Sequence, residues 1–182
     1  EKLFSERMCR HFQEDFSIAC RIARYHNVYG PHGAFRGGRE KAPAAICRKI
    51  AEAQLQGRRV IEVWGDGRQQ RTFTYIDDCL EGTLRLMASA CSEPLNIGSA
   101  EMVRIDQLVA LVEEVAGYRV ERQYNLAAPV GVRSRTSDNT LVREQLGWEP
   151  NTPLAVGIEQ TYRWIYDQLA RGGMPTLTRA AP

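Results

Sequence analysis

Residues 18–31 read IACRIARYHNVYGP, and this stretch decides how the rest of the sequence is interpreted. Apolar residues alternate with polar ones along its first half, which predicts a β-strand over 18–28. The strand ends in a polar cluster followed by a Gly-Pro pair, and that pair predicts a loop. Ligands of open α/β folds bind at the carboxyl edge of the sheet, so the cluster is a candidate part of a binding site. An ordinary strand exit with incidental polar residues is an equally good interpretation.

Helix and strand signals alternate on both sides of this segment. Apolar periodicity predicts helices over 2–16, 42 to about 56, 106–116 and 154 to about 169. Two further helices are predicted to start at an aspartate cap. One follows Asp77 and has an apolar face of Leu80, Leu84 and Met87, and the other runs from Asp138 to 147. Short strands are predicted over 60–64, 72–76, 95–97 and 119–124. The order is that of a mixed α/β chain.

Composition excludes several classes of protein. The chain has 182 residues, a net charge of +2, 43% hydrophobic and 25% charged residues, which is typical of one globular domain. A near-neutral balance argues against a dedicated nucleic-acid-binding protein. No apolar stretch approaches the ~20 residues of a membrane span, and the charged first helix differs from a signal peptide. These features predict a cytoplasmic protein without a membrane partner.

Two residue types narrow the possible chemistry. The five cysteines are widely spread with no C-x-x-C pair, so neither a metal site nor a disulfide framework is expected. Of the 24 basic residues, only Lys2, Lys41 and Lys49 are lysines. Lysine can give up its proton in a suitable site whereas arginine effectively cannot, so a functional reason for these three lysines is expected.

Three further segments carry candidate site residues. GGREKAPAA (37–45) places Lys41 at a helix start, where the positive end of the helix favours an anion and disfavours a protonated lysine. WGDGRQQRTFTYIDD (64–78) places Gln69 and Arg71 on one side of an extended segment, and PVGVRSRTSDN (129–139) carries two arginines two residues apart. Guanidinium forks at this spacing suit a phosphate or diphosphate. Taken singly, each segment is more often plain solvated surface.

Together, the motifs R-x-x-N-V-Y-G-P, G-D-G-x-Q-x-R-x-F-x-Y-x-x-D and R-x-S-D-N resemble those of the extended short-chain dehydrogenase/reductase family. This family contains the NAD-dependent nucleotide-sugar epimerases and dehydratases, and the resemblance spans residues 1 to 169. Within it, GGREKAPAA is most similar to the branch that acts on GDP-mannose and epimerises C3 and C5. The resemblance implies the C-terminal part of a Rossmann-type α/β fold, a mostly helical substrate-binding region with short strands, without the N-terminal dinucleotide-binding half.

The resemblance also implies roles for individual residues. Glu1-Lys2 is similar to the end of the family's Y-x-x-x-K motif, so Lys2 would be its catalytic lysine and would contact the nicotinamide ribose of NAD. Lys41 would be the lysine of the acid–base pair that acts on the sugar ring. The implied substrate contacts are Asn27, Glu40, Ala42, Lys49, Gln69, Arg71 and Arg135.

The motif tyrosine would precede Glu1, and the catalytic cysteine of the branch would belong to the other half. We therefore expect these residues to be inactive alone, as the substrate-binding half (1–171) of an epimerase followed by a flexible tail (172–182). Two alternatives remain: another NAD-dependent epimerase or dehydratase with a UDP- or dTDP-sugar, or a non-catalytic remnant that binds or self-associates. An exposed sheet edge and apolar face predict a homo-oligomer.

Overall fold

The computed structural model describes residues 1–172, so the predicted tail lies outside the described residues from 173 onward. Six helices are formed: α1 (Lys2–Phe16), α2 (Ala42–Leu55), α3 (Ile76–Ala88), α4 (Ile105–Ala116), α5 (Thr140–Leu146) and α6 (Leu154–Arg171). Nine short strands accompany them: β1 (Ala23–Tyr25), β2 (Val28–Tyr29), β3 (Val60–Trp64), β4 (Gln70–Thr72), β5 (Thr74–Tyr75), β6 (Leu95–Ile97), β7 (Met102–Arg104), β8 (Glu121–Asn125) and β9 (Ser134–Arg135). The mixed α/β class predicted from the sequence is confirmed.

The main core lies where α2, α4 and α6 pack together. Ile50 of α2, Leu108 and Val112 of α4, and Ile158 and Ile165 of α6 are all fully buried in one cluster. The spacing of four residues in α4 and of seven residues in α6 places the buried pair of each helix on a single face, as amphipathic periodicity requires. This helical layer supports the short strands that carry the candidate site.

The strands form small, mostly parallel pairings. β1 pairs with β6, β2 with β5, and β3 with β8, all in parallel. β4 lies at the centre of a three-stranded sheet, antiparallel to β7 and parallel to β9. Parallel pairs need long crossover connections, and α2, α3 and α4 provide them.

Helix boundaries agree closely with local sequence signals. Pro43 lies in the first turn of α2, where its missing N–H is not needed. Gly117 ends α4 with φ 60°, and Gly147 ends α5 with the same φ. Glycine adopts this left-handed conformation without steric cost, which is why these helices stop there.

Three predicted details are wrong. The strand predicted over 18–28 is reduced to β1 and β2, because the chain turns at Asn27, whose φ is 40°. Asp77 does not cap α3: the N-cap is Tyr75, and Asp77 lies in the first helical turn. Similarly, α5 is capped at Asn139, while the Asp138 carboxylate accepts the Thr140 N–H at 3.0 Å.

Two helices expose the apolar faces that the sequence periodicity identified. In α3, Leu80, Leu84 and Met87 are 55–66% exposed, and the buried side consists of Asp78, Cys79, Gly82 and Leu86. No residue of α1 is buried. Only two ion pairs of the described residues hold α1 in place, one from Glu6 to Arg24 and one from Arg10 to Glu93 at 2.9 Å.

Candidate functional site

A cavity of about 480 Å³ lies between the start of α2, strand β3 and strand β4. Its volume is within the usual range of small-ligand sites, about 300–1,000 Å³. Most of the substrate contacts implied by the sequence line it, together with the implied acid–base lysine: Asn27, Glu40, Lys41, Ala42, Lys49, Gln69 and Arg71. These residues come from three separate segments of the chain, which meet at one site.

The first wall of the cavity is one face of α2. Ala42, Ala45, Ile46 and Lys49 line it, at the i, i+3, i+4, i+7 spacing of a helix face. Lys41 immediately precedes the helix as its N-cap residue, in an extended conformation. The backbone thus places an exposed lysine at the cavity rim and a second lysine two turns further along the same wall.

Lys49 is held by contacts from β3. Its Nζ donates a hydrogen bond to the Glu62 carbonyl at 2.7 Å and lies 3.8 Å from the Glu62 carboxylate. The ammonium also lies 5.9 Å from the centre of the Trp64 ring. Burial lowers the pKa of Lys49, and the nearby Glu62 carboxylate opposes that shift. A half-buried cation fixed in this way suits an anionic or hydrogen-bond-accepting group of a ligand.

Glu62 and Trp64 are cavity residues that the sequence analysis did not assign. They alternate with the buried Ile61 and Val63 along β3, so both side chains point away from the core. The Trp64 Nε1–H donates to the Glu62 carboxylate at 3.0 Å, and Asn125 Nδ2 donates to it at 2.8 Å. Hydrogen bonds from Asn125 and Trp64 lower the pKa of Glu62 and keep it ionised. The period-2 pattern of residues 60–64 is the signal that could have identified them.

The second wall is built around Arg71 of β4. Its guanidinium donates to the carbonyls of Gln70 at 2.7 Å, Val130 at 3.0 Å and Val132. These bonds use three of its five N–H donors. Burial and the nearby Arg135 lower the pKa of Arg71. Arg71 therefore ties the 130–132 loop to the cavity and keeps two N–H groups for a ligand.

Two side-chain oxygens of cavity-lining residues are buried and accept no hydrogen bond from the described residues. They are Oε2 of Glu40 and Oε1 of Gln69. The Gln69 amide is oriented by its Nε2, which donates to the Trp64 carbonyl at 2.9 Å. Buried polar atoms are nearly always paired, so both oxygens are suited to accept hydrogen bonds from a bound hydroxyl or amine.

Arg48 is a further residue that sequence reasoning missed. Its Nε donates to the Phe35 carbonyl at 2.8 Å, and its two terminal nitrogens reach Glu52 at 2.9 Å and Glu40 at 3.4 Å. These contacts fix the glycine-rich loop in front of α2, and with it the position of Lys41. Arginine at this point gave no sequence signal, because it is one of many in the chain.

Asn27 lines the cavity from the loop between β1 and β2. Its Nδ2 donates to the Thr72 carbonyl at 3.1 Å, and its own carbonyl accepts the Thr74 N–H at 3.3 Å. These bonds join the polar strand exit of the RYHNVYGP segment to the GDG-x-Q-x-R segment. The structure therefore brings together two motifs that lie about 45 residues apart, the separation of Asn27 and Thr72.

Two predicted site residues lie outside this cavity. Arg135 is exposed on β9, in register with Arg71 but not among the lining residues. Lys2 lies exposed in the first turn of α1 and is not among the residues that line this cavity. The same part of the chain contains no cluster of potential metal ligands, and its five cysteines are free.

Fold and site together define a class of protein: an α/β chain whose basic, partly apolar cavity at the strand ends suits an anionic ligand of nucleotide size. The chain belongs to the NAD dependent epimerase/dehydratase family, whose model matches residues 1–98. The family resemblance that the sequence motifs indicated is therefore confirmed.

Curated relatives agree with this assignment. The chain is 49% identical to the GDP-mannose 3,5-epimerase of Arabidopsis thaliana over 171 residues, which is 94% of this chain and 44% of the relative. It is 48% identical to GDP-mannose 3,5-epimerase 1 of Oryza sativa subsp. indica, with the same coverage. The chain thus spans less than half the length of these relatives.

Solved structures show the same partial match. The UDP-glucose 4-epimerase of Thermotoga maritima, solved with UDP-glucose, matches with a TM-score of 0.83 and 29% identity. The UDP-glucuronic acid 4-epimerase of Bacillus cereus, solved with UDP-glucuronic acid and NAD, matches with a TM-score of 0.75 and 27% identity. Each match covers 92% of this chain and 52% of the solved chain. The fold is that of about half an epimerase of this family.

NAD is the cofactor that the family implies, but the described residues do not fit it on their own. The sequence has no G-x-G-x-x-G turn, which in Rossmann folds receives the pyrophosphate at a helix N-terminus. Lys2, the implied ribose contact, is exposed on α1. Residues 1–172 therefore contain the candidate cavity and at most the edge of a dinucleotide site. Within the same range, no helix is long and apolar enough to cross a membrane.

Proposed function

We propose that this chain is the substrate-binding half of an NAD-dependent nucleotide-sugar epimerase that acts on GDP-mannose and epimerises C3 and C5. One observation carries the proposal: a single cavity collects Lys41, Lys49, Gln69 and Arg71 from segments that are far apart in sequence. The likeness to GDP-mannose 3,5-epimerases supports the choice of sugar nucleotide. These residues are expected to bind substrate but to be inactive as an epimerase without a dinucleotide-binding half, because the oxidation and re-reduction at C4 need NAD.

The residue types suit this chemistry. The chemistry that NAD supplies in such enzymes is the reversible oxidation of a sugar hydroxyl, which at C4 acidifies the protons on C3 and C5. Lys41 lines the cavity, and its Nζ would remove or return one of these protons. The free oxygens of Glu40 and Gln69 would accept hydrogen bonds from sugar hydroxyls and orient the ring.

The β3 wall is suited to hold the base. Trp64 leaves 51% of its surface exposed, so its indole face can stack on a purine. Beside it, the ionised Glu62 offers carboxylate acceptors for adjacent N–H groups. Guanine presents such a pair of N–H donors on one edge, whereas uracil presents a single one. This difference supports a GDP-sugar over a UDP-sugar.

A thermal-shift titration tests the proposal with GDP-mannose, UDP-glucose as control, and each with or without NAD. Ligand at 100 times its Kd stabilises a protein by about 2.7 kcal/mol. At about 2–4 °C per kcal/mol, a chain of this length should melt roughly 5–10 °C higher. GDP-mannose alone should produce this shift, and NAD should not change it.

Lys49→Ala should remove most of the shift with GDP-mannose, because it deletes the buried cation of the cavity wall. Arg163→Ala is the matched control, since Arg163 is exposed on α6 and pairs only with Glu159. A shift with UDP-glucose would favour a UDP-sugar epimerase. No shift with either ligand would contradict an autonomous substrate site and favour a non-catalytic remnant.

We further propose that the chain self-associates through the exposed apolar side of α1. Leu3, Phe4, Met8, Phe12 and Phe16 are all exposed there, which is an unusually continuous apolar surface for a protein in water. Burial of such a face against a second copy would remove it from solvent. We expect light scattering to show a mass above 20.6 kDa that rises with concentration.

The double variant Phe4→Glu/Phe12→Glu should return the chain to a monomer. Leu126→Glu is the control, because Leu126 is equally exposed but lies in a loop after β8. A wild-type mass that stays at one copy across the concentration range would overturn the proposal.

A further inference from the structure

A second basic cavity lies on the other side of β4. It has a volume of about 640 Å³ and is lined by Arg68, Gln70, Arg104, Asp106, Arg133 and Ser134. None of these residues lines the cavity described above. The three arginines come from three different segments: the turn after β3, the end of β7 and the loop before β9.

Strand register explains why these residues meet. Gln70 of β4 is directly opposite Arg104 of β7 and directly opposite Ser134 of β9. Residues in register share one face of a sheet, and successive residues point to opposite faces. Arg71 and Arg135 are the next register pair, so they lie on the face of the first cavity. The sheet therefore separates two basic surfaces.

Backbone hydrogen bonds hold the segments in this arrangement. Gln70 N donates to the Arg133 carbonyl at 2.9 Å, which fixes the loop before β9. Ile105 N donates to the Gln69 carbonyl at 3.2 Å, and Asp106 N donates to the Gly67 carbonyl at 2.9 Å. These two bonds fix the turn that carries Arg68. The three arginines therefore lie on segments whose backbone is fixed by hydrogen bonds.

The charge of this cavity is only partly compensated. Arg104 forms a two-point contact with Asp106 at 2.9 and 3.0 Å. Within residues 1–172, neither Arg68 nor Arg133 forms an ion pair, and the side chain of Gln70 makes no hydrogen bond. The cavity is therefore lined by one ion pair, Arg104 with Asp106, and by two guanidinium groups, an amide and a hydroxyl that are free to bind a ligand.

We propose that this cluster, termed the Arg68 site, binds a phosphate group carrying two negative charges. Planar guanidinium forks match phosphate oxygens in pairs, and the Gln70 amide and Ser134 hydroxyl add neutral donors. The phosphate can be free in solution or the terminal phosphate of a small organic ester, since both present the same three oxygens. The site shares no lining residue with the proposed sugar-nucleotide cavity, although Arg68 and Arg133 also line a third cavity that includes Gln69 and Val130 of the first. The proposal does not depend on the sugar-nucleotide function.

Isothermal titration of the 182-residue chain tests the site, with inorganic phosphate and glycerol 3-phosphate as the two probes. GDP-mannose at saturating concentration is present throughout, because it occupies any diphosphate position in the first cavity and has no terminal phosphate that would compete for the Arg68 site. We expect one phosphate per chain, with affinity that falls as salt is raised. The probe that binds more tightly identifies the source of the phosphate.

The double variant Arg68→Gln/Arg133→Gln should weaken phosphate binding at least about 10-fold, since it removes both unpaired forks. Arg119→Gln/Arg163→Gln is the matched control for charge, because both side chains are more than 70% exposed elsewhere on the surface. Arg68→Gln alone, which leaves the backbone hydrogen bonds of the three segments intact, should weaken phosphate binding measurably. Equal affinity in the double variant and wild type, or no phosphate binding by wild type, would overturn the Arg68 site.

Discussion

Lys41→Arg should lower proton exchange on a GDP-linked 4-keto-6-deoxyhexose by at least about 100-fold, the lower end of general acid–base contributions. The 4-keto group already acidifies the neighbouring C3 and C5 protons, so exchange needs no hydride transfer. Arginine keeps the positive charge at the start of α2 but cannot act as a base near neutral pH. Solvent deuterium incorporation, followed by mass spectrometry, measures this step in the 182-residue chain.

The control is Arg163→Lys, an exchange between the same two residue types at an exposed side chain of α6 that lies outside the cavity. It should leave deuterium incorporation unchanged. The affinity of Lys41→Arg for GDP-mannose should also stay close to wild type, because the lysine sits at the rim and the α2 wall is intact. Exchange that survives in Lys41→Arg, or that never exceeds the solvent background in wild type, would contradict an acid–base role for this lysine.

Local signals in the sequence predicted most of the helices and strands. β3 (Val60–Trp64) and β6 (Leu95–Ile97) have the predicted bounds, and α2 ends within about one residue of its prediction. These elements carry strong local information: period-2 alternation, a proline in the first helical turn and glycine stops. Asp77 was misjudged as a cap because an extended Tyr75 already precedes the helix, and the acidic residues enter its first turn.

The face that a helix buries was harder to predict. Periodicity finds the apolar side of α3, but burial depends on what packs there. In the described residues, the Leu80 and Leu84 side is exposed, while Gly82 lies so close to Trp148 that a Cβ would be 2.6 Å from its ring. Sequence periodicity cannot show whether the partner of an apolar face belongs to the same chain.

The site was predictable through its motifs but not in its full geometry. The motifs placed Lys41, Lys49, Gln69 and Arg71, and the structure puts all four around one cavity. The structure alone identified Trp64, Glu62 and Arg48, because their importance depends on which strand or loop faces them. The contacts of Lys2 and Arg135, the domain bounds and the cytoplasmic location stay predictions.

Gly157→Ala should destabilise the chain by about 1–3 kcal/mol, the usual cost of overpacking a core. A Cβ on Gly157 would collide with the Tyr29 hydroxyl and lie 2.8 Å from Tyr75 Cδ2 and 3.0 Å from Tyr29 Cζ. Both rings are buried, and Tyr29 donates a hydrogen bond to the Leu154 carbonyl at 3.4 Å, so neither ring moves freely. Thermal unfolding should show a midpoint about 2–4 °C lower per kcal/mol.

Gly33→Ala is the matched control, because a Cβ there meets only the Gly30 carbonyl, at 3.4 Å. Its melting temperature should stay close to that of wild type. Tyr29→Phe removes the hydroxyl that collides first, so the double variant Gly157→Ala/Tyr29→Phe should lose less stability than the two single changes added together. This coupling also matters for the site, since Tyr29 follows the Asn27 turn that joins two of its motifs. Strictly additive losses of stability would show that Gly157 and Tyr29 are not in close contact where α6 packs on β2.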